Sequence, residues 1–122
     1  MERRKSINEG RIMTETDIQN HIRTALSSCG IVFRLNVGNF MTQDGRYISS
    51  GLPAGTSDLL FIGHGYIAFI EVKKSGGRIS PEQARFISTM RRLGHRAGIA
   101  RSVDDALKII NYAGDPVDME DF

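Results

Sequence analysis

Two strand-like runs on either side of Gly63-His64-Gly65 constrain the fold more than any other feature of this sequence. Leu59 to Ile62 and Tyr66 to Lys73 are rich in β-branched, aromatic and other apolar residues, and glycines on both sides of a histidine are typical of a tight hairpin turn. With His64-Gly65 as a two-residue loop, Ile62 pairs with Ile67, and successive pairs follow outward. The spacing therefore predicts an antiparallel hairpin of fixed register.

Continuing that register outward places Asp58 opposite Glu71. Cross-strand neighbours lie about 4.5–5.5 Å apart at Cβ, where two like charges destabilise a sheet unless a positive group lies between them. Strand alternation places Lys73 on the same face as Glu71. Because Mg²⁺ is bound by one or two carboxylates and keeps several waters, the pair predicts a divalent-metal site, with the Val72 carbonyl as a further oxygen ligand.

This group of residues suits phosphodiester hydrolysis. The reaction needs charge stabilisation in the transition state and a nucleophilic water at neutral pH, and a hard cation supplies both. Lys73 would orient or help deprotonate the water, or neutralise the phosphate. The alternative is purely structural: an exposed carboxylate near a turn and a salt-bridged strand edge.

Helix signals flank the hairpin on both sides. Thr14 followed by Asp17 predicts an N-terminus, and apolar residues at helical spacing continue until Gly30 offers a stop. Ser80-Pro81-Glu82-Gln83 is typical of a capping box with Pro in the first turn, and Gly94 ends that helix. Ser102 to Asp105 caps a last helix.

The remaining strands complete an α/β fold. Ile31 to Val37 and Ala97 to Ala100 are β-rich, and Asp44-Gly45 is a candidate hairpin turn within the poorly defined 38–57 region. The predicted order is α-β-(β)-β-β-α-β-α. A strand, a crossover helix and a strand imply a right-handed parallel unit, so we expect a mixed central sheet flanked by helices.

Composition indicates one domain in a chain of 122 residues. A basic arm is expected over 1–13 and an acidic tail over 114–122, and the four acidic residues of that tail leave a charge of +6 on the rest of a chain whose net charge is +2. This balance is compatible with a nucleic-acid partner. The single cysteine, Cys29, is expected to be a small core residue in a reducing cytoplasm. No apolar run approaches the ~20 residues of a membrane span.

The residues Gly55-Thr56-Ser57-Asp58-Leu59 and Phe69-Ile70-Glu71-Val72-Lys73 resemble the D…ExK signature of PD-(D/E)XK nucleases. With Glu15 on the preceding helix and Gln83 on the following one, residues 14 to about 110 resemble the virus-type replication-repair nuclease (VRR-NUC) family in particular. Ser57 is a departure, since the family often has Pro there; the difference affects the loop geometry rather than the chemistry.

The resemblance implies a restriction-endonuclease-like αβββαβ core in a VRR-NUC domain over 14–113, Mg²⁺ or Mn²⁺ as cofactor, and a phage or prophage DNA repair protein that acts on DNA, with branched or junction DNA favoured. It implies that Asp58 and Glu71 bind metal, that Lys73 is catalytic, and that Glu15 and Gln83 complete the site. Glu15 and Gln83 also have structural interpretations, since an acidic residue suits a first helical turn and Gln suits a capping box.

Four basic residues are candidates for binding DNA phosphates, two beside the proposed metal and two weaker ones: Lys74, Arg78, Arg34 and Arg46. Rival interpretations are a catalytically silent DNA-binding module on the same fold and a small protein-interaction domain. Retention of Asp58, Glu71 and Lys73 together favours the nuclease. The resemblance also implies a homodimer, for which the candidate interface is the apolar material around the Asp44-Gly45 turn, namely Phe40, Met41, Tyr47, Ile48 and Leu52.

Overall fold

A computed structural model describes residues 12–111 of the chain. Within this range the chain forms three helices and six strands. Their bounds are α1 Glu15–Leu26, β1 Ile31–Arg34, β2 Asn39–Met41, β3 Tyr47–Ser49, β4 Leu59–Ile62, β5 Ile67–Val72, α2 Pro81–Arg92, β6 Arg96–Ala100 and α3 Val103–Asn111.

A four-stranded mixed sheet in the order β1-β4-β5-β6 organises the fold. β1 and β5 both run antiparallel to β4, whereas β6 runs parallel to β5, so the predicted mixed sheet is confirmed. The β4–β5 register is the predicted one, with Ile62 opposite Ile67 and Leu59 opposite Ile70. At the turn the Gly63 N–H donates to the Tyr66 carbonyl at 3.0 Å, and Gly65 has a φ of 79°.

Helices cover both faces of this sheet. α1 and α3 pack on one face, where the main core is formed by fully buried residues that include Ile22, Leu26, Leu59, Phe61, Ile70 and Ile110. Strand alternation turns Phe69 to the opposite face, where its ring meets the edge of Phe86 from α2 at a centroid distance of 5.2 Å. The sheet therefore lies between layers of helices, and residues at the strand ends lie at the rim of the sheet.

Most predicted helix ends are observed. Thr14 with Asp17 and Ser80 with Gln83 form reciprocal capping boxes, and Gly94 follows α2 with a φ of 93°. Gly30, however, does not end α1, because that helix stops at Leu26 with Ser27 as its C-cap. Gly30 is required by packing instead, since a Cβ there would lie 2.4 Å from the Ile62 carbonyl oxygen.

Three other expectations are revised or refined. β1 ends at Arg34 rather than at Val37. The hairpin around Asp44-Gly45 forms, but β2 and β3 make a separate two-stranded sheet. Cys29 is exposed, so its assignment to the core is wrong. It lies in the turn beyond Leu26, the last buried residue of α1, where the chain no longer follows the apolar face of the helix.

The basic arm and the acidic tail lie almost wholly outside the described residues. At the arm's border Met13 packs against the core, whereas Ile12 is 88% exposed. No helix within 12–111 has the length and apolar character needed to cross a bilayer.

The turn before β4 depends on a glycine. Gly55 has a φ of 87°, and the Thr56 N–H closes the turn by donating to the Pro53 carbonyl at 3.2 Å. A Cβ on Gly55 would lie 2.2 Å from the Glu82 carbonyl oxygen in the first turn of α2. Only glycine combines this conformation with so close an approach. Gly55 therefore allows the turn that leads into Asp58 to pack closely against α2, the helix that carries Gln83.

We expect Gly55→Ala to destabilise the protein by about 2 kcal/mol or more, since backbone strain and a steric overlap are both introduced. Gly51→Ala is the matched control, because Gly51 has a similar φ of 78° but an added Cβ would have no atom within 4 Å. Urea denaturation should show a clearly smaller loss for the control, about 1 kcal/mol. Equal losses would mean that the contact with α2 contributes nothing.

Candidate active site

Asp58 and Glu71 meet at the end of the β4–β5 hairpin. Asp58 precedes β4 and is half-buried, whereas Glu71 is in β5 and only 2% exposed. The Val72 N–H donates to Asp58 Oδ2 at 2.8 Å and so fixes the aspartate against the neighbouring strand. The predicted hairpin register thus brings two carboxyl groups together at one rim of the sheet.

This environment changes the acidity of Glu71. Burial is the largest cause, followed by the charge of Asp58 and a hydrogen bond with its side chain, and together they raise the pKa of Glu71 from 4.5 to about 8. The charge of Glu15 acts in the same direction, whereas Lys73 partly opposes it. Without a cation, Glu71 therefore holds a proton at neutral pH.

Gln83 performs both of the functions considered for it from the sequence. Its Oε1 accepts from the Ser80 N–H at 2.9 Å, which completes the capping box of α2. Its Nε2 donates to Glu71 Oε2 at 3.1 Å. Because an amide carries both an acceptor and donors, one side chain ties the start of α2 to the buried carboxylate.

Lys73 follows β5 directly, and its position is fixed through the backbone. Its N–H donates to the Ala100 carbonyl of β6 at 3.1 Å. Sequence reasoning missed Arg101, whose Nη1 donates to the carbonyls of Lys74 and Gly77 at 2.7 and 2.8 Å. Arg101 thus closes the loop that follows Lys73. No sequence motif signals such an interaction, because its acceptors are backbone atoms.

The site has an open position for a cation. Glu71 Oε1 is buried and has no hydrogen-bond partner among the described residues, so a positive ligand would satisfy it. Two neighbouring carboxylates suit a divalent cation, which would take the place of the proton on Glu71. Across residues 12–111 no three His, Cys, Asp or Glu side chains converge on a metal site. Glu15 is near enough to raise the pKa of Glu71 but does not join the pair in such a cluster.

Ser57 occupies the position where the resemblance leads one to expect proline. It is fully buried, and its Oγ has no hydrogen-bond partner within the described part of the chain. The hydroxyl is an unusual feature immediately beside Asp58, since buried polar atoms are normally paired. The structure gives no contact through which Ser57 would hold a ligand.

The four predicted DNA-binding residues lie in different surroundings. Arg34 lines a cavity together with Asp58 and Gln83, so it belongs to the surroundings of the site. Lys74 and Arg78 are exposed on the loop after Lys73. Arg46 instead donates from Nε to Asp44 Oδ2 at 3.0 Å in the turn of the β2–β3 hairpin.

Two other basic residues serve the fold. The Arg91 Nε donates to the Ala97 carbonyl at 2.8 Å. The Arg96 guanidinium lies 3.6 Å from the centre of the Tyr66 ring and donates to the Ile110 carbonyl. Both arginines therefore tie helices to the sheet, and neither is a simple solvated charge on a helix surface.

Comparison with known proteins supports the likeness in sequence and in fold. The family model described as "VRR-NUC domain" matches residues 35–104. A solved structure called "VRR_NUC domain" has a TM-score of 0.58 and 24% identity, covering 84% of this chain and 100% of its own. Another, called "VRR_NUC domain protein", has a TM-score of 0.60 and 19% identity, covering 92% and 94%. A search of curated proteins gives no match.

The raised pKa of Glu71 predicts a pH-dependent stability. The unfolded chain releases this proton near pH 4.5, whereas the folded protein retains it to about pH 8. The stabilisation is fully present below pH 4.5 and is lost as the pH rises towards 8, because across this window the unfolded chain releases the proton freely and is favoured by doing so, whereas the folded protein cannot. In chelator, the free energy of unfolding should fall by a few kcal/mol across this window.

Glu71→Gln is the informative variant, because it keeps the shape of the side chain and removes the titration. Denaturant unfolding at several pH values should give a flatter profile for this variant than for the wild type. Mn²⁺ added at the upper end of the window should restore stability to the wild type alone. A wild-type profile as flat as that of the variant would contradict the assignment.

Proposed function

This chain belongs to the VRR-NUC domain family and has the nuclease-type fold of that family, and we propose that it is a divalent-metal-dependent nuclease that hydrolyses DNA phosphodiester bonds. The observation that carries the proposal is the pairing of half-buried Asp58 with buried Glu71, one oxygen of which has no hydrogen-bond partner among the described residues. A structural ion pair would oppose unlike charges, whereas this site opposes two acidic groups, keeps a proton on Glu71 when no cation is bound, and leaves one Glu71 oxygen without a partner among residues 12–111. That arrangement suits a cation site.

The carboxylates of Asp58 and Glu71 would hold Mg²⁺ or Mn²⁺, with the Val72 carbonyl as a further ligand. A bound divalent cation supplies positive charge against the phosphate and makes a water more acidic. Glu15 would act from α1 through an intervening water, which agrees with the preference of Mg²⁺ for retaining several waters. The Val72 N–H and the Gln83 amide hold the two carboxylates in place on either side.

Lys73 and Gln83 have separate parts in this proposal. Lys73 would place its Nζ against a phosphate oxygen and orient the attacking water, because its backbone is held on both sides by β6 and the closed loop. Gln83 would act on the reacting groups only through Glu71, whose Oε2 it orients. DNA phosphates would contact Arg34, Lys74 and Arg78, since these cations border the site or the loop after Lys73.

Selectivity for branched DNA, at flaps or junctions, is the substrate preference that we propose. A catalytically silent DNA-binding module is the second candidate, and it predicts DNA binding without a metal effect. The unpartnered Glu71 oxygen favours the nuclease, because a silent module gains nothing from a buried carboxylate that lacks a partner.

We expect Asp58→Asn and Glu71→Gln each to lower the rate of DNA cleavage in Mg²⁺ by roughly a thousandfold or more, because the charge of the cation contributes several kcal/mol to such reactions. DNA affinity in chelator should be kept, and thermal stability without metal should stay level or rise as the repulsion is relieved. Cleavage of single-stranded, flapped, nicked and four-way DNA, together with thermal melts, measures both effects.

Asp104→Asn is the matched control for these variants. Asp104 is an exposed carboxylate in the first turn of α3 that makes no hydrogen bond or ion pair with the residues assigned to catalysis, and its loss should leave cleavage unchanged. Full cleavage by either site variant would remove the proposed function. A wild type that binds DNA and cleaves none of the four substrates with Mg²⁺ or Mn²⁺ would favour the silent module.

We also propose that the protein forms a homodimer through the face of the β2–β3 hairpin that carries Met41 and Tyr47, opposite the face that carries Phe40. Met41 and Tyr47 pair across this hairpin and are 60% and 74% exposed, so they offer apolar surface that the described fold does not bury. Two copies would present two identical sites and twice the basic surface to a branched DNA.

Light scattering coupled to gel filtration tests the dimer. The wild type should elute with twice the mass of the chain at micromolar concentration, and Met41→Glu and Tyr47→Glu should shift it towards the monomer. Leu93→Glu, on a residue that is equally 60% exposed but follows α2, should leave the dimer intact. A monomeric wild type would remove the dimer, and a dimer indifferent to both hairpin variants would place its interface elsewhere.

A further inference from the structure

A cavity of about 490 Å³ lies directly beside the two site residues Asp58 and Gln83, which form part of its wall. The remaining wall comes from Gln19 of α1, from the end of β1 and the segment after it (34–37), from the turn at 54–56, from the start of α2 and from Phe40 of the β2–β3 hairpin. Whatever occupies this cavity is therefore adjacent to the carboxylate that we assign to the metal.

The side chains around the cavity have the chemistry of a nucleotide site. Arg34 and Asn36 are exposed along one wall, and neither makes a side-chain hydrogen bond or ion pair within residues 12–111. Arginine is suited to phosphate oxygens, and an amide can pair with the edge of a base. The Phe40 ring is 44% exposed and makes no ring contact within the described chain. An exposed aromatic ring in such a place provides a surface on which a base can stack.

The cavity has further polar residues at the start of α2. Ser80 and Glu82 line it together with the segment after β1. A carboxylate there would repel a second phosphate but can accept a hydrogen bond from the amino group of a base. The cation of Arg34 and the acceptor of Glu82 would thus favour one orientation of a bound nucleotide.

The volume of the cavity suits a single nucleotide and is too small for duplex DNA. A volume of about 490 Å³ falls within the range of roughly 300–1,000 Å³ typical of small-ligand pockets, which suits one nucleotide. A double helix, whose major groove alone is about 12 Å wide, is far too large to enter. A paired base inside a duplex also has both of its faces stacked, so it cannot lie on Phe40 without leaving the helix.

We infer that this cavity binds one unpaired nucleotide next to the cleaved phosphate, with its base on Phe40 and its phosphate at Arg34. The inference rests on the proposed function and specifies which part of a branched DNA the site binds. Branched DNA would be preferred because a flap or a frayed junction offers an unpaired nucleotide at the branch, whereas an intact duplex must first unstack one at a cost of a few kcal/mol.

The test uses two DNA substrates of the same sequence that carry one 2-aminopurine. In the first, this base is the unpaired nucleotide at the branch of a flap, and in the second it is paired within a duplex. Dissociation constants and 2-aminopurine fluorescence are measured in chelator, so that binding is read without cleavage. The wild type should bind the flap more tightly and quench its fluorescence, because stacking on an aromatic ring quenches this base.

Phe40→Ala should weaken flap binding about tenfold, which lies within the range of base stacking on an aromatic residue, and should abolish the quenching. Duplex binding should hardly change, and Phe40→Tyr should retain the wild-type behaviour. Phe33→Ala is the matched control, since Phe33 is 47% exposed on the strand next to Arg34 and does not line the cavity. It should bind both substrates as the wild type does.

A second variant, Ala54→Leu, fills the cavity from the turn at 54–56 and leaves Phe40 itself unchanged, and it should reduce the preference for the flap in the same way. Equal effects of Phe40→Ala and Ala54→Leu on flap and duplex, or no effect on either, would overturn the inference. Cleavage of both substrates by the wild type in Mg²⁺ is measured in parallel. If the wild type cleaves DNA but binds the flap no more tightly than the duplex, the nucleotide site alone is refuted. If the wild type cleaves neither substrate, the proposed function is refuted.

Discussion

The meeting of two carboxyl groups at the end of a hairpin governs the rest of this structure. Glu71 is taken into the interior by β5, and Asp58 reaches it because the β4–β5 pairing admits one register. Burial of a carboxylate beside another is unfavourable, so the surrounding groups compensate for it: the Val72 N–H for Asp58, and the Gln83 amide and the charge of Lys73 for Glu71. The compensation is incomplete, since one Glu71 oxygen has no hydrogen-bond partner in the part of the chain that the structure describes.

Because of this unpaired oxygen, we expect the stability of the fold to depend on whether the expected cation is bound. Without a cation the folded protein must keep a proton on Glu71 at neutral pH, and anything that removes this proton weakens the fold. A cation that binds only the folded site would reverse the effect by mass action. A nuclease built in this way would gain stability when it acquires its metal, which separates it from a domain whose buried pair is merely structural.

The sequence predicted those parts of the fold that depend on local chemistry. The glycines on either side of His64 predicted the β4–β5 register, and the capping boxes predicted the starts of α1 and α2. Features that depend on distant contacts could not be read in this way. Gly30 resembles a helix stop but is required by its contact with Ile62, Cys29 proved exposed because α1 ends early, and the hydrogen bonds of Arg101 go to backbone atoms that carry no sequence signal.

The parallel strand β6 has a consequence for the protein during its synthesis. Domains of a nascent chain fold as their residues leave the ribosome, beginning from the N-terminus. All of the side chains assigned to catalysis have emerged once residue 83 is free, yet the acceptor of the Lys73 N–H is Ala100, and the loop after Lys73 is closed by Arg101. A chain synthesised only as far as Gln83 would therefore carry the side chains assigned to catalysis without the backbone that positions its lysine, and the proposed nuclease centre would be assembled only once Ala100 and Arg101 have also emerged.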